Sequence, residues 1–132
     1  MKKLIRKLPA LVTAALIWVF SSQSVLPRPR GIPGFDKAMH FAAYAFLAAA
    51  LNLWFPRKKR GCLQALVLTA CIASVYGIID EIHQYFVPGR NCSFWDWTAD
   101  TLGAAAGAGA ALAVWRFIIH KNGQDQSGLQ NL

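Results

Sequence analysis

"DEIHQYFVPGRNCSFWDWTADTLGAAAG", residues 80–107, is the stretch that decides the fold. Its left part ends one apolar run with Asp80, Glu81 and His83, and its right part opens another with Asp96 and Asp100. Between them Val87, Pro88, Gly89 and Arg90 read as a tight turn: Pro88 presets φ, and Gly89 accepts the positive φ of a type II geometry. Two antiparallel helices are predicted, with their ionisable groups gathered at the joint. Asp96, Asp100, Gly103 and Gly107 recur at i, i+4, i+7 and i+11, which is one helical face. Gly103 and Gly107 form a GxxxG pattern, a surface on which a second helix backbone packs closely. The two carboxylates on that face therefore point into a bundle.

Outward from this joint, residues 8–27, 38–56 and 61–79 carry no Asp, Glu, Lys or Arg. Each run matches the ~20 residues that cross a ~30 Å hydrocarbon core. A fourth run, 101–115, reaches that length when 94–100 and 116–119 are added, with Arg116 snorkelling to the interface. A chain of 132 residues that is 55% apolar and 15% charged, with mean hydropathy +0.34, fits one domain of closely spaced spans. The expected fold is all-α: an integral membrane bundle of four transmembrane helices over residues 1–121, followed by a polar tail, 122–132, expected to be disordered.

The net charge of +8 sets orientation rather than nucleic-acid binding, because the bases cluster between apolar runs instead of lining one amphipathic face. Ten Lys and Arg (Lys2, Lys3, Arg6, Lys7, Arg57, Lys58, Lys59, Arg60, Arg116 and Lys121) fall on one side, against Arg28, Arg30, Lys37 and Arg90 on the other. The positive-inside rule then puts both termini in the cytoplasm. The first span also resembles a secretory signal, but Ser22-Gln23-Ser24 is a weak cleavage site and the apolar run continues past it, so it reads as a retained anchor. "RPRGIPG", residues 28–34, reads as an outer loop and "PRKKRG", residues 56–61, as a tight inner turn. Cys62, Cys71 and Cys92 are too scattered for a disulfide framework or a metal site.

In this topology Asp36, His40, Asp80, Glu81, His83, Gln84, Arg90, Asp96 and Asp100 all lie near the extracytoplasmic ends of their segments. Ionisable groups at membrane depth are costly, so such clustering marks a functional site. Tyr76, Asp80 and Gln84 share a face of the third helix, with His83 beside Asp80 at i+3, while Asp36, His40 and Tyr44 share a face of the second. Arg90 at the rim suits a phosphate, a carboxylate or one of the protein's own acids. The bland alternative, ion pairs tying loops to helix ends, accounts for single residues better than for the whole set. Trp95 and Trp97 read as interfacial anchors, and His120 beside Lys121 as an interfacial residue at a helix C-terminus.

"DKAMHFAAYAFLA" (36–48), residues 80–107 and "SSQS" (21–24) together resemble the VanZ-like family of membrane proteins. The resemblance maps family motif positions onto Asp36, His40, Tyr44, Asp80, Glu81, Gln84, Pro88, Gly89, Arg90, Asp96 and Gly103; Asp100 stands where Asn is expected. It implies a cell-envelope role, since the family's founding member is associated with low-level teicoplanin resistance.

Three functions fit these residues. In the first, Asp36, His40, Tyr44, Asp80, Glu81, Gln84, Arg90, Asp96 and Asp100 bind an envelope component, such as a lipid headgroup or a cell-wall intermediate, in the plasma membrane of a bacterium. In the second, the chain is an intramembrane enzyme on a lipid-linked or glycan substrate, with Asp80 or Glu81 as general base and His83 or His40 as partner. The third is a cation or proton pathway through Asp36 and His40 and through Asp80 and His83. The sequence assigns no resident metal and no cofactor. The Gly103/Gly107 face is also a candidate surface for a second copy of the chain.

Overall fold

The computed structural model describes the backbone of residues 2–24, 33–55 and 61–129 and the side chains of 4–24, 33–55 and 61–121. Residues 56–60, most of the inner turn, and 25–32, which hold the end of the first apolar run and most of the outer loop, lie outside the described residues. The elements are α1 (Lys2–Ile5), α2 (Leu8–Ser21), α3 (Phe35–Trp54), α4 (Cys62–Tyr85) and α5 (Phe94–Leu129). The expected all-α class is what forms, with no strand among the described residues.

Local signals set the helix ends. Pro9 sits in the first turn of α2, where a missing N–H costs no helical hydrogen bond. Gln64 Oε1 accepts the Gly61 N–H at 3.3 Å and so closes the start of α4. At its far end the Phe86 N–H donates to His83 O and the Val87 N–H to Gln84 O, both at 3.0 Å. The Arg90 N–H then donates to Val87 O at 3.1 Å across Pro88 and Gly89, and Gly89 takes φ +81°. This is the type II turn that the Pro-Gly pair prescribes. Ser93 opens α5: its hydroxyl accepts the Asp96 N–H at 3.4 Å, and its carbonyl accepts those of Asp96 and Trp97.

The closest packing is between α3 and α5, and next between α4 and α5. A Cβ on Gly103 would overlap the backbone of Phe41, and one on Gly107 the backbone of Ala45. The GxxxG face is therefore filled by α3 of the same chain. This corrects the expectation that it is available to a second copy, since the small residues that would admit another helix already hold this one. Ala48, Ala73, Ala104 and Ala108 form the fully buried centre, with Tyr44, Leu47 and Leu51 around it.

Polarity is arranged opposite to that of a bundle in water. Large apolar side chains point outward, with Phe46 74%, Leu63 71% and Phe117 70% exposed, while Asp80, Glu81, Gln84, Asp96 and Asp100 are buried. Among the described residues, two helices are long and apolar enough to cross a membrane: α4, and the 28-residue part of α5 at Phe94–Lys121. At 1.5 Å per residue they extend about 36 and 42 Å, beyond the ~30 Å of a hydrocarbon core. The apolar α2 has 14 residues. Helix α5 continues to Leu129, past Asn122, where the polar tail was expected to begin.

Candidate functional site

The turn at Gly89 places Arg90 against the end of α2, where Nε donates to Gln23 O at 3.1 Å and Nη2 to Phe20 O at 2.9 Å. Arg90 thus satisfies carbonyls that a helix C-terminus leaves open. Across from it, Lys37 Nζ donates to Asp96 Oδ1 at 3.0 Å and to Asp36 Oδ2 at 3.3 Å, tying α3 to the first turn of α5. Lys37 precedes the apolar run that starts at residue 38, and its hydrogen bond to Asp96 holds the ammonium pKa above the ordinary value. Between these walls lies a cavity of about 260 Å³ lined by Asp36, Lys37, His40, Gln84, Gly89, Arg90, Asn91, Ser93 and Asp96. A second hollow of about 300 Å³ opens on the other side of Ser93, lined mainly by Ile78, Ile82, Phe94 and Trp97, with Glu81 on its wall.

Deeper in the bundle is a cluster of acids. Asp100, on α5, accepts from His40 Nδ1 of α3 at 2.9 Å through Oδ1. Glu81, on α4, approaches the same nitrogen at 4.0 Å through Oε1, while its Oε2 accepts the Ser93 N–H at 2.7 Å. Asp80 Oδ2 accepts from Gln84 Nε2 at 3.0 Å, one helical turn away. Tyr44 stands on α3 within electrostatic reach of Asp80, Asp100 and Glu81. Four buried atoms in this set have no hydrogen-bond partner: Tyr44 Oη, Asp80 Oδ1, Glu81 Oε1 and Asp100 Oδ2.

The structure brings together most of the residues proposed from the sequence but divides them into two tiers. Asp36, Arg90 and Asp96 surround the polar cavity with Gln84, whereas Tyr44, Asp80, Glu81 and Asp100 lie in the buried cluster; His40 belongs to both. His83 is elsewhere. Its ring stacks on Trp18 with centroids 4.0 Å apart, and its Nε2 is 3.0 Å from Ser22 Oγ, so it packs on α2. The pairing of Asp80 or Glu81 with His83 is therefore corrected: the histidine beside the carboxylates is His40, and its partner is Asp100 rather than Asp36.

Sequence reading missed Ser93, whose N–H orients Glu81 and whose hydroxyl caps α5. The signal was present as Ser93 three residues before Asp96, a capping pattern at the start of an apolar run. Trp97 is an interhelical tie as well as an aromatic near the rim, since its Nε1 donates to Ser74 O at 3.3 Å. Cys92 is exposed in the α4–α5 loop, and desolvation with the charge of Glu81 raises its thiol pKa, which lowers its thiolate fraction.

The family model described as VanZ/LLP1 matches residues 2–117. No curated protein and no solved structure matches the chain.

Proposed function

The chain belongs to the VanZ/LLP1 family, and from that premise we propose that it is a multi-pass protein of the bacterial plasma membrane whose polar cavity binds an envelope component. Helices α2, α3, α4 and α5 each belong to a bilayer span in this reading, with both termini in the cytoplasm and the cavity at the extracytoplasmic side. The apolar exterior and the excess of Lys and Arg in alternate connections support that topology.

The observation that carries the binding reading is the pair of hollows that share Ser93, one polar and one apolar. A lipid or lipid-linked cell-wall intermediate presents both surfaces. Its anionic headgroup meets Lys37 and Arg90, and its hydroxyl or ammonium donors meet Asp36 and Asp96. The chain lies along Ile78, Ile82 and Phe94. Through such a ligand the protein would act on glycopeptide sensitivity, as the family resemblance implies.

Native mass spectrometry of the full-length protein, purified from membranes, tests this directly. One lipid species should co-purify at defined stoichiometry with wild type and be depleted in Lys37→Ala and Arg90→Ala. Equal retention of unselected bulk lipid by all three proteins would refute it.

A second reading, acid–base chemistry on the bound component, is favoured by His40, which lines the cavity while Asp100 fixes its ring. Turnover of the captured lipid that disappears in His40→Gln while binding persists would identify an enzyme.

A further inference from the structure

We propose that His40, Glu81 and Asp100 form a binding site for one divalent metal ion of the Zn²⁺ or Mn²⁺ class, beneath the polar cavity. These three residues come from three different helices, and one ligand atom from each lies within 4.8 Å of the others. Bonds of about 2.0–2.2 Å to a central ion place tetrahedral ligand atoms about 3.3–3.6 Å apart, so side-chain movements of about an ångström close the set.

The carboxylate oxygens supply the independent sign of a ligand. Asp100 is 0% and Glu81 3% exposed, yet Asp100 Oδ2 and Glu81 Oε1 have no hydrogen-bond partner. Buried polar atoms are ordinarily satisfied, and ionised ones left bare are the most costly. The neighbouring Asp80 Oδ1 and Tyr44 Oη share this condition, which extends the donor set without being required by it.

Charge points the same way. Three buried carboxylates, Asp80, Glu81 and Asp100, meet a single imidazole, while the nearby ammonium of Lys37 is bound to Asp36 and Asp96. A divalent cation balances that excess.

The groups behind these ligands are arranged as they are behind metal sites. The Ser93 N–H holds Glu81 Oε2 and leaves Oε1 turned inward, and α5 holds Asp100 through its close packing on α3. One imidazole nitrogen with carboxylate oxygens suits a borderline divalent ion better than Ca²⁺, whose sites are all-oxygen. His40 Nδ1 faces Asp100 Oδ1 at 2.9 Å; a neutral imidazole that binds the ion through Nδ1 carries its proton on Nε2.

The test uses metal alone on chelator-stripped, full-length protein in detergent, with calorimetric titration of Zn²⁺ and electron paramagnetic resonance of Mn²⁺. Wild type should bind one ion per chain and melt at a higher temperature with it. Glu81→Gln and Asp100→Asn should each lose at least about tenfold in affinity and lose the thermal shift, whereas Asn52→Leu, at the other end of the bundle, binds as wild type. Should either carboxylate variant fail to fold, the stoichiometry and thermal shift of wild type decide. Absence of saturable binding by wild type, or unchanged affinity in both folded carboxylate variants, overturns the site and means that protons or water satisfy the cluster. The readout is metal binding and not lipid retention, so it can fail while envelope binding stands.

Discussion

Near one end of the bundle, Asn52 donates to Thr69 Oγ1 at 3.1 Å and to Ala48 O at 2.9 Å, and Thr69 donates to Ala65 O at 2.9 Å. Toward the other end, Tyr44, Asp80, Glu81 and Asp100 each bury a polar atom with no partner, and no other described side chain does so. Both regions join α3 to its neighbours, and both are buried. The first uses polar groups as ties and satisfies them locally. The second holds ionisable groups in an arrangement its own contacts do not complete, at a cost that a ligand would offset. Polar burial by itself therefore does not mark a site; incomplete polar burial does.

Substitutions should separate the two regions. Gly107→Leu should have the largest effect, a loss of about 3 kcal/mol or more, because the new side chain must displace the Ala45 backbone and not a flexible side chain. Detergent-purified protein should lose its monodisperse elution on size exclusion; normal elution would mean α3 and α5 are not so close. Arg90→Ala should follow, at about 1 kcal/mol, since it removes two charged-donor hydrogen bonds from the partly exposed end of α2. Hydrogen exchange should report the loss first around residues 20–24.

Thr69→Val should cost about 0.6 kcal/mol, the typical worth of one interhelical hydrogen bond in a membrane bundle, and leave lipid retention unchanged. Lys37→Ala should cost least, under about 0.5 kcal/mol, because the Lys37 side chain is half-exposed and its ion pairs are screened by solvent. Yet it should deplete the co-purifying lipid most clearly. Thermal melts paired with native mass spectrometry check both: a residue of the polar cavity moves binding more than stability, and Thr69 or Gly107, in the helix packing, the reverse.

Much of this was legible in the sequence for a definite reason. Asp96, Asp100, Gly103 and Gly107 face α3 because helical periodicity fixes a face and GxxxG marks it as a packing surface. The Pro88-Gly89 turn is equally local. What was not legible is which helix each face meets. His83 follows Asp80 by three residues and reads as its neighbour, but Trp18 and Ser22 of α2 draw it away. His40 reaches Asp100 across 60 residues of chain, a meeting that no spacing rule encodes. The Asn52–Thr69 tie is hidden for the same reason, and a GxxxG surface suits a second copy as well as a helix of its own chain, because sequence does not say whose backbone fills it.

The direct test of a functional rather than structural role for the buried cluster is the melting temperature of the Asp80→Asn, Glu81→Gln, Asp100→Asn triple variant, compared with wild type after chelation and delipidation. Each amide keeps an oxygen for Gln84, the Ser93 N–H or His40 while removing a buried charge. The triple variant should melt at or above wild type and bind no metal. A melting temperature well below that of wild type would contradict this, showing that the carboxylates hold the bundle together.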